Sequence, residues 1–437
     1  MYKKLKFYLP TVVMLLFCIE NSFSEQQADD VKSSTSQNFT VEQAVELAIE
    51  NNISLKQSRI SVTAVKREKD HSWNSISPSI SVSAGASSPN DRTDYGSDYS
   101  SYVKAGVSFS FSPSLFTTMK SATLDYESGL ISYDAAARSV ELSVRSSFYG
   151  LLYEKENIVL QQRNLETAKA QYETNLSKYK QGSVSQLDVL SSQVSYEELK
   201  PTLESAEVTW QNDMASFKQL LGIPQPDEIT LNGSLEKAAA INQLSSDGIV
   251  SQSLSVKAAE KNLEIAKNDL AASRMSAFGP SVSLAWTYEP TVTDGSSSST
   301  DEGDLSVSVS IPLGGYLPWS SESDTVAGSK DNVKSLELEL ENEKTTVKIE
   351  TESYLRQINQ ARSSVKSLQA NVELARKSYD MTEEAYNHGK TDLLSLQDAS
   401  DSLLSAQVSL QSELYTLITA ILDLENVTGV PFGTLGK

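Results

Sequence analysis

The sequence predicts a mainly α-helical chain with a small membrane β-barrel portion, built as one duplicated unit of helix, strand hairpin, long helix and short helix. Three observations predict it. Apolar residues recur every seventh position over long stretches, the second half repeats the first at a nearly constant offset, and four short segments alternate between apolar and small polar residues. PSISVSAG at 78–85 and PSVSLAWT at 280–287 show that alternation and match each other position by position over their first five residues.

At 437 residues the chain exceeds the usual size of a single core, and the duplication favours one large repeated fold over two unrelated domains. Residues 1–24 read as a secretory signal: Lys3, Lys4 and Lys6 precede an apolar run from Phe7 to Ile19, and Ser22-Phe23-Ser24 supplies small residues for cleavage. That run is too short for an ordinary membrane-spanning helix. Cys18 lies inside it, without the small residues expected ahead of a lipidated cysteine, so the mature chain is expected to hold no cysteine and no disulfide or thiolate chemistry. The remaining division is a linker over 25–39, a first repeat over 40–224, a linker over 225–244, a second repeat over 245–431 and a tail over 432–437.

The formal net charge is −20, and such an acidic chain is repelled by phosphate, which excludes nucleic acid as a partner. An enzyme is not expected. The two histidines, His71 and His388, are far apart and neither sits in a metal-ligand or nucleophile pattern, so neither cofactor nor metal is expected.

Taking the elements in order, Thr40-Val41-Glu42-Gln43 reads as a capping box that starts a helix over about 40–72. The strands about 78–86 and 103–111 follow. From about 117 to 180 there is no proline, and Leu130, Ala137, Val144, Leu151, Ile158, Leu165, Tyr172 and Tyr179 form a seven-residue seam of the coiled-coil type. A shorter helix spans about 185–220, with a kink expected near Pro201 because that residue removes an amide donor. The second half adds strands about 280–288 and 305–311 and a long helix over about 327–387.

Leu151 pairs with Ile358, Ile158 with Val365, Leu165 with Val372, Tyr172 with Tyr379 and Tyr179 with Tyr386, all 207 residues apart. The same offset relates the turn glycines Gly182 and Gly389, which suit the left-handed conformation that ends a helix, and Gly222 with Gly429. Each long helix is expected to run on the order of 90–100 Å, matched by two short helices stacked end to end. The thin apolar seam suits either a hollow cylinder of helices or a rod-like coiled coil.

The strands separate those two. Segments of about 7–10 residues with one apolar and one serine-rich face suit a bilayer-spanning barrel whose polar face lines water. Aromatics near their ends, Tyr99, Tyr102, Trp286 and Tyr288 at one and Phe116, Tyr316 and Trp319 at the other, suit the two interfaces with outer-membrane lipid. The polar loops 87–101 and 291–304 would then lie outside the cell and the helices in the periplasm. Four strands cannot close a barrel, and an open edge in hydrocarbon leaves unpaired backbone groups, so the chain must oligomerise. Three copies would give twelve strands and leave a serine-lined lumen. A secreted coiled-coil structural or adhesive protein, with the strands as a soluble head, is the alternative.

This order of signal, paired repeats, hairpins and tip turns of the form Tyr-x-x-Gly resembles the TolC family of outer-membrane efflux proteins over nearly all of the mature chain. The resemblance implies a homotrimer with a twelve-stranded barrel and a periplasmic helical tunnel. It implies an exit duct for small molecules or polypeptides, working with a periplasmic adaptor protein and an inner-membrane pump. It further implies that the tunnel narrows at the helix tips, where Asp188 and Tyr386 match members of a closing network and Asp398 matches one of two aspartates ringing the entrance. Three copies of Asp398 would attract cations, and like charges crowded on a threefold axis would suit a bound one. Two positions depart from the family pattern: Ser395 stands where the other ring aspartate is expected, and Thr391 where a basic network residue is expected, with Lys390 beside it as a substitute.

Overall fold

The computed structural model describes residues 37–87, 100–224, 229–240, 253–289, 291–293 and 303–435. The expected signal sequence, Cys18, Tyr99 and most of both strand-connecting loops lie outside the described residues. Two helices dominate: α3, Ser114–Lys180, and α7, Ser321–Asn387, each of 67 residues and therefore roughly 100 Å long. Along α3 pack α2 (Ile53–Asp70) and α4 (Gln186–Leu221); along α7 pack α6 (Leu254–Phe278) and α8 (Leu393–Thr428). Each long helix thus runs beside two shorter ones placed end to end, as the repeat lengths predict. Gly129 and Gly150 sit in α3 where neighbours come close: a Cβ would meet Val65 of α2 at 3.0 Å and Tyr415 of α8 at 3.4 Å, respectively.

The helix expected over 40–72 is two helices, α1 (Val41–Asn51) and α2, broken at Asn52. Thr40 makes the capping box at the start of α1, as its sequence predicts. Asn52 is buried and serves two helices at once. Its Oδ1 accepts from the Leu55 amide at 3.2 Å, capping α2, while its Nδ2 donates to the Leu220 carbonyl at 2.9 Å in the last turn of α4. Beside it Gly222 ends α4 at φ +71, and a Cβ there would stand 2.8 Å from the Asn51 carbonyl oxygen. This is the joint between the stacked short helices of the first repeat. α4 itself runs unbroken through Pro201; the proline and Glu197, whose carbonyl loses its amide partner, are both exposed to solvent.

The core lies near the middle of the long helices. Val144, Phe148, Leu151 and Leu152 of α3 meet Phe217 and Leu221 of α4, Ile358 of α7 and the Leu414–Leu424 stretch of α8. The segments read as linkers are built into this core where they are described. β1 (Gln37–Phe39) pairs in parallel with β4 (Ile229–Leu231), and Leu235 of the short helix α5 (Leu235–Ala238) is buried. The segment read as a tail is also tied down. Glu425, fully buried, accepts from the amides of Gly433 at 2.9 Å and Leu435 at 3.0 Å, and the Arg138 guanidinium donates to the carbonyls of Glu425 and Val430 while lying 4.5 Å from the Phe432 ring centroid.

At one end of the helices stands an antiparallel sheet in the order β2 (Ser79–Ser87), β3 (Ser100–Phe111), β5 (Ser281–Tyr288), β7 (Gly303–Ser310), with β6 (Thr291–Thr293) pairing the start of β3. The register sorts the two faces. Ile80, Val107, Trp286 and Leu305 form one cross-strand row and Phe109, Leu284 and Val307 the next, all on one face. Ser79, Ser108, Ala285 and Ser306, then Ser110, Ser283 and Ser308, form rows on the other. Ile80, Val82, Leu305, Val307 and Val309 are each 65% to 78% exposed, so nothing among the described residues covers these positions of the apolar face. β2 and β7 are edge strands with one side unpaired among the described residues. Tyr102, expected at the lipid interface, faces the serine side, where its ring lies over Gly85; a Cβ on that glycine would clash at 2.7 Å. Among the described residues no helix is long and apolar enough to cross a membrane.

Replacing Asn52 by Ala removes both the cap and a buried interhelical bond. The expected cost is about 2–3 kcal/mol, read as a lowered melting temperature by circular dichroism in detergent. Asn52→Ser, which keeps a capping oxygen but cannot reach Leu220, is expected to cost about half as much.

Candidate functional site

The end of the helices away from the sheet carries the residues singled out from the sequence. α3 ends at Lys180 and α7 at Asn387, and both close with the same pair of bonds. The Gly182 and Ser183 amides donate to the Tyr179 and Lys178 carbonyls, and the Gly389 and Lys390 amides to those of Tyr386 and Ala385, all at 2.8–2.9 Å. Gly182 (φ +75) and Gly389 (φ +68) take the left-handed conformation that such an ending requires.

The next helix in each repeat starts with a hydroxyl and a carboxylate three residues apart, in opposite order. In α4, Ser185 is the cap and Asp188 the third residue; in α8, Asp392 is the cap and Ser395 the third residue. Asp188 accepts from the Ser185 amide at 2.9 Å and hydroxyl at 2.7 Å, and the Asp188 amide donates back to Ser185 Oγ at 3.2 Å. In α8 the Ser395 amide donates to Asp392 Oδ1 at 2.9 Å, and the Ser395 hydroxyl and amide hold the Asp392 carboxyl below the usual range. Ser395 is thus part of a cap whose negative charge sits on Asp392, where the α4 cap carries it on Asp188. Either arrangement puts a carboxylate at the positive end of a helix.

Tyr386 is buried with Leu393 and Leu396, and the partly buried Tyr379 packs against them. Its hydroxyl donates to Asn175 Oδ1 at 2.7 Å, linking the last turn of α7 to α3. Asn175 is completely buried, receives a second bond from Gln171 at 3.3 Å, and leaves its Nδ2 without a partner. Burial and the nearby Asp188 carboxylate push the Tyr386 phenol up, against the opposing hydrogen bonds of Asn175 and Gln171. Asp188 therefore faces Tyr386 as a charge while its oxygens are engaged in the α4 cap. The basic group at this ring is Lys178, whose Nζ lies 4.8 Å from the centroid. Lys390 and Thr391 lie in the tip turn, and the Lys390 side chain forms no ion pair among the described residues.

Asp398 stands apart from this cluster, exposed on α8 in a cleft shared with Asn371 and Ala375 of α7. Asp401, one helical turn further, lines the same cleft, and burial together with the Asp398 charge pushes its carboxyl up. Sequence reasoning singled out neither Asn175 nor Asp401. The three-residue spacing of Asp398 and Asp401 is visible in the sequence, whereas nothing local marks Asn175 as the partner of a tyrosine 211 residues away.

Comparisons with known proteins agree with this geometry. A family model described as "Outer membrane efflux protein" matches residues 44–223 and 247–430, that is, both repeats. No curated protein matches the chain in sequence. Among solved structures, the crystal structures of CusC superpose with a TM-score of 0.77 at 14% identity, covering 92% of this chain and 95% of that one. The Campylobacter jejuni CmeC outer membrane channel gives 0.73 at 19%, covering 92% and 90%. The open state of the Neisseria gonorrhoeae MtrE outer membrane channel gives 0.72 at 19%, covering 89% and 88%. At such identities these likenesses establish the fold. With the family model matched across both repeats, the chain belongs to the outer membrane efflux protein family.

Proposed function

We propose that three copies of this outer-membrane efflux channel close into one duct, which receives small molecules or polypeptides from an inner-membrane pump through a periplasmic adaptor protein and conducts them outward. The observation that carries the reading is the sheet: one face of exposed apolar residues, one face of serine, and two unpaired edges, continuous with helices 67 residues long. A soluble head, which the secreted coiled-coil or adhesive reading needs, would cover Ile80, Val82 and Val307 with a second layer, and the chain provides none among the described residues. The duct needs no catalysis. His71 closes α2 beside the sheet and His388 lies in the tip turn at the far end, so the two cannot act on one substrate.

In this reading the tip cluster holds the duct narrow. The Tyr386–Asn175 bond ties α7 to α3, and the Asp188 charge and the Lys178 ammonium bracket the same ring. Lys390 and Thr391, in the turn between Gly389 and the Asp392 cap, are free to meet a neighbouring copy. Asp398 would be repeated three times around the entrance and give it preference for cations.

The detergent-solubilised protein is expected to have three times the chain mass by light scattering. A monomer that stays soluble without detergent would overturn the duct. In planar bilayers it is expected to give discrete cation-selective steps. Tyr386→Phe, which removes one hydrogen bond of about 1 kcal/mol, should shift the closed-to-open balance about fivefold per copy, read as open probability. Asp398→Ala is expected to move the reversal potential in a salt gradient toward zero; an unchanged potential would reject the ring.

A further inference from the structure

Near the middle of α3, well away from the tip turns, α3, α4 and α8 line a half-open cavity of about 300 Å³. Its lining includes Ser146, Ser147, Gly150, Glu154, Asp213 and Tyr415, and no lysine, arginine or histidine. Gly150 leaves room for Tyr415 from α8 to cross α3, and the Tyr415 ring stacks on Tyr153 with centroids 5.7 Å apart, closing one side. Glu154 on α3 and Asp213 on α4 face each other across this space. Glu154 Oε2 is buried and receives no hydrogen bond from a donor group among the described residues.

Two ionised carboxylates held together without a cation repel strongly, since burial weakens the screening by water. A single proton between them removes the repulsion and accounts for the otherwise unpartnered oxygen: protonated Glu154 donates to the Asp213 carboxylate. The groups facing the pair agree. Asp213 comes from α4, and from α8 comes Tyr415, whose phenol is itself pushed up by burial, by the Glu154 charge and by the charge of Asp423 further along α8. On α3 the adjoining Lys155 and Glu156 are exposed to solvent rather than turned into the cavity.

We propose that Glu154 and Asp213 form a proton-operated clamp in the tunnel wall, tying α3 to α4 when they share one proton and loosening that contact when both are ionised. Burial first, and then the hydrogen bond and charge of Asp213, push the Glu154 carboxyl up to about 7. Because the folded-state value is raised, the stabilisation is fully present below the ordinary carboxyl range and is lost as pH rises through about 7. The clamp therefore operates between mildly acidic and neutral conditions, and it does so independently of the tip cluster.

The test uses the full-length protein in detergent, with wild type, Glu154→Gln and Asp213→Asn compared from pH 5.5 to 8.5. The wild-type melting temperature is expected to fall by roughly 2–4 °C more than that of Glu154→Gln across this range. Hydrogen exchange of the α3 segment 146–158, corrected for intrinsic rate, should quicken on passing to pH 8 in wild type and not in Glu154→Gln. Equal pH dependence in both proteins would overturn the clamp. Infrared absorption of a protonated carboxyl supplies a readout that does not depend on the Gln variant folding. It should vanish in wild type with a midpoint near 7 and shift to lower pH in Asp213→Asn; an unshifted midpoint, or no such band at pH 6, would also overturn it.

Discussion

Every backbone amide and carbonyl within hydrocarbon must find a partner in protein, and this requirement governs the rest of the molecule. Among the described residues β2 and β7 each leave one side unpaired, so in the proposed duct the sheet is completed when the edges of neighbouring copies meet. Closing such a ring would fix what each face does. The rows of Ile, Val, Leu and Trp would turn to lipid and the serine rows inward, and the helices that continue from the strands would be carried into a ring of the same order. The half-exposed seams of α3 and α7 fit the same logic, because in the proposed duct a wall helix would bury its full apolar stripe only against its neighbours in the next copy.

Within one chain, burial is concentrated at two levels. The middle of the long helices holds the continuous core, to which β1, β4, α5 and the C-terminal segment are fastened, and the tips hold the small cluster around Tyr386. Between these levels the helices touch mainly through polar and half-buried side chains. A structure anchored at separate levels can change its bore at one without unpacking the other. Three buried polar groups sit where elements must be joined: Asn52 at the joint of α1, α2 and α4, Glu425 under the C-terminal segment, Asn175 beneath Tyr386.

The duplication, the two long helices, the strand alternation and the tip glycines were legible because each is a local pattern repeated at a constant offset. The break at Asn52 was not, since Asn52 follows a helix-compatible run and is decided by the distant Leu220 carbonyl. The β1–β4 pair was hidden for a similar reason: three residues carry too little alternation to read as a strand until a partner nearly two hundred residues away is placed beside them. Tyr102 was read by composition as an interface aromatic, but the register with Gly85 puts it on the serine face. At the tips the positions of Asp188 and Tyr386 were readable, while the bond between α7 and α3 passes through Asn175, whose burial depends on how the two coils lean together.

The two tip tyrosines occupy the same place in their repeats, yet Tyr179 is 43% exposed and Tyr386 only 8%. The caps that follow them exchange hydroxyl and carboxylate between Ser185-Asp188 and Asp392-Ser395. A ring made of six identical short chains could not hold both environments at one height, because each subunit would carry the same side chains. Two repeats within one chain lift that restriction. One half keeps a solvent-facing tyrosine while the other turns its counterpart into a fastening between α7 and α3, so the two halves of the tip differ within a single chain.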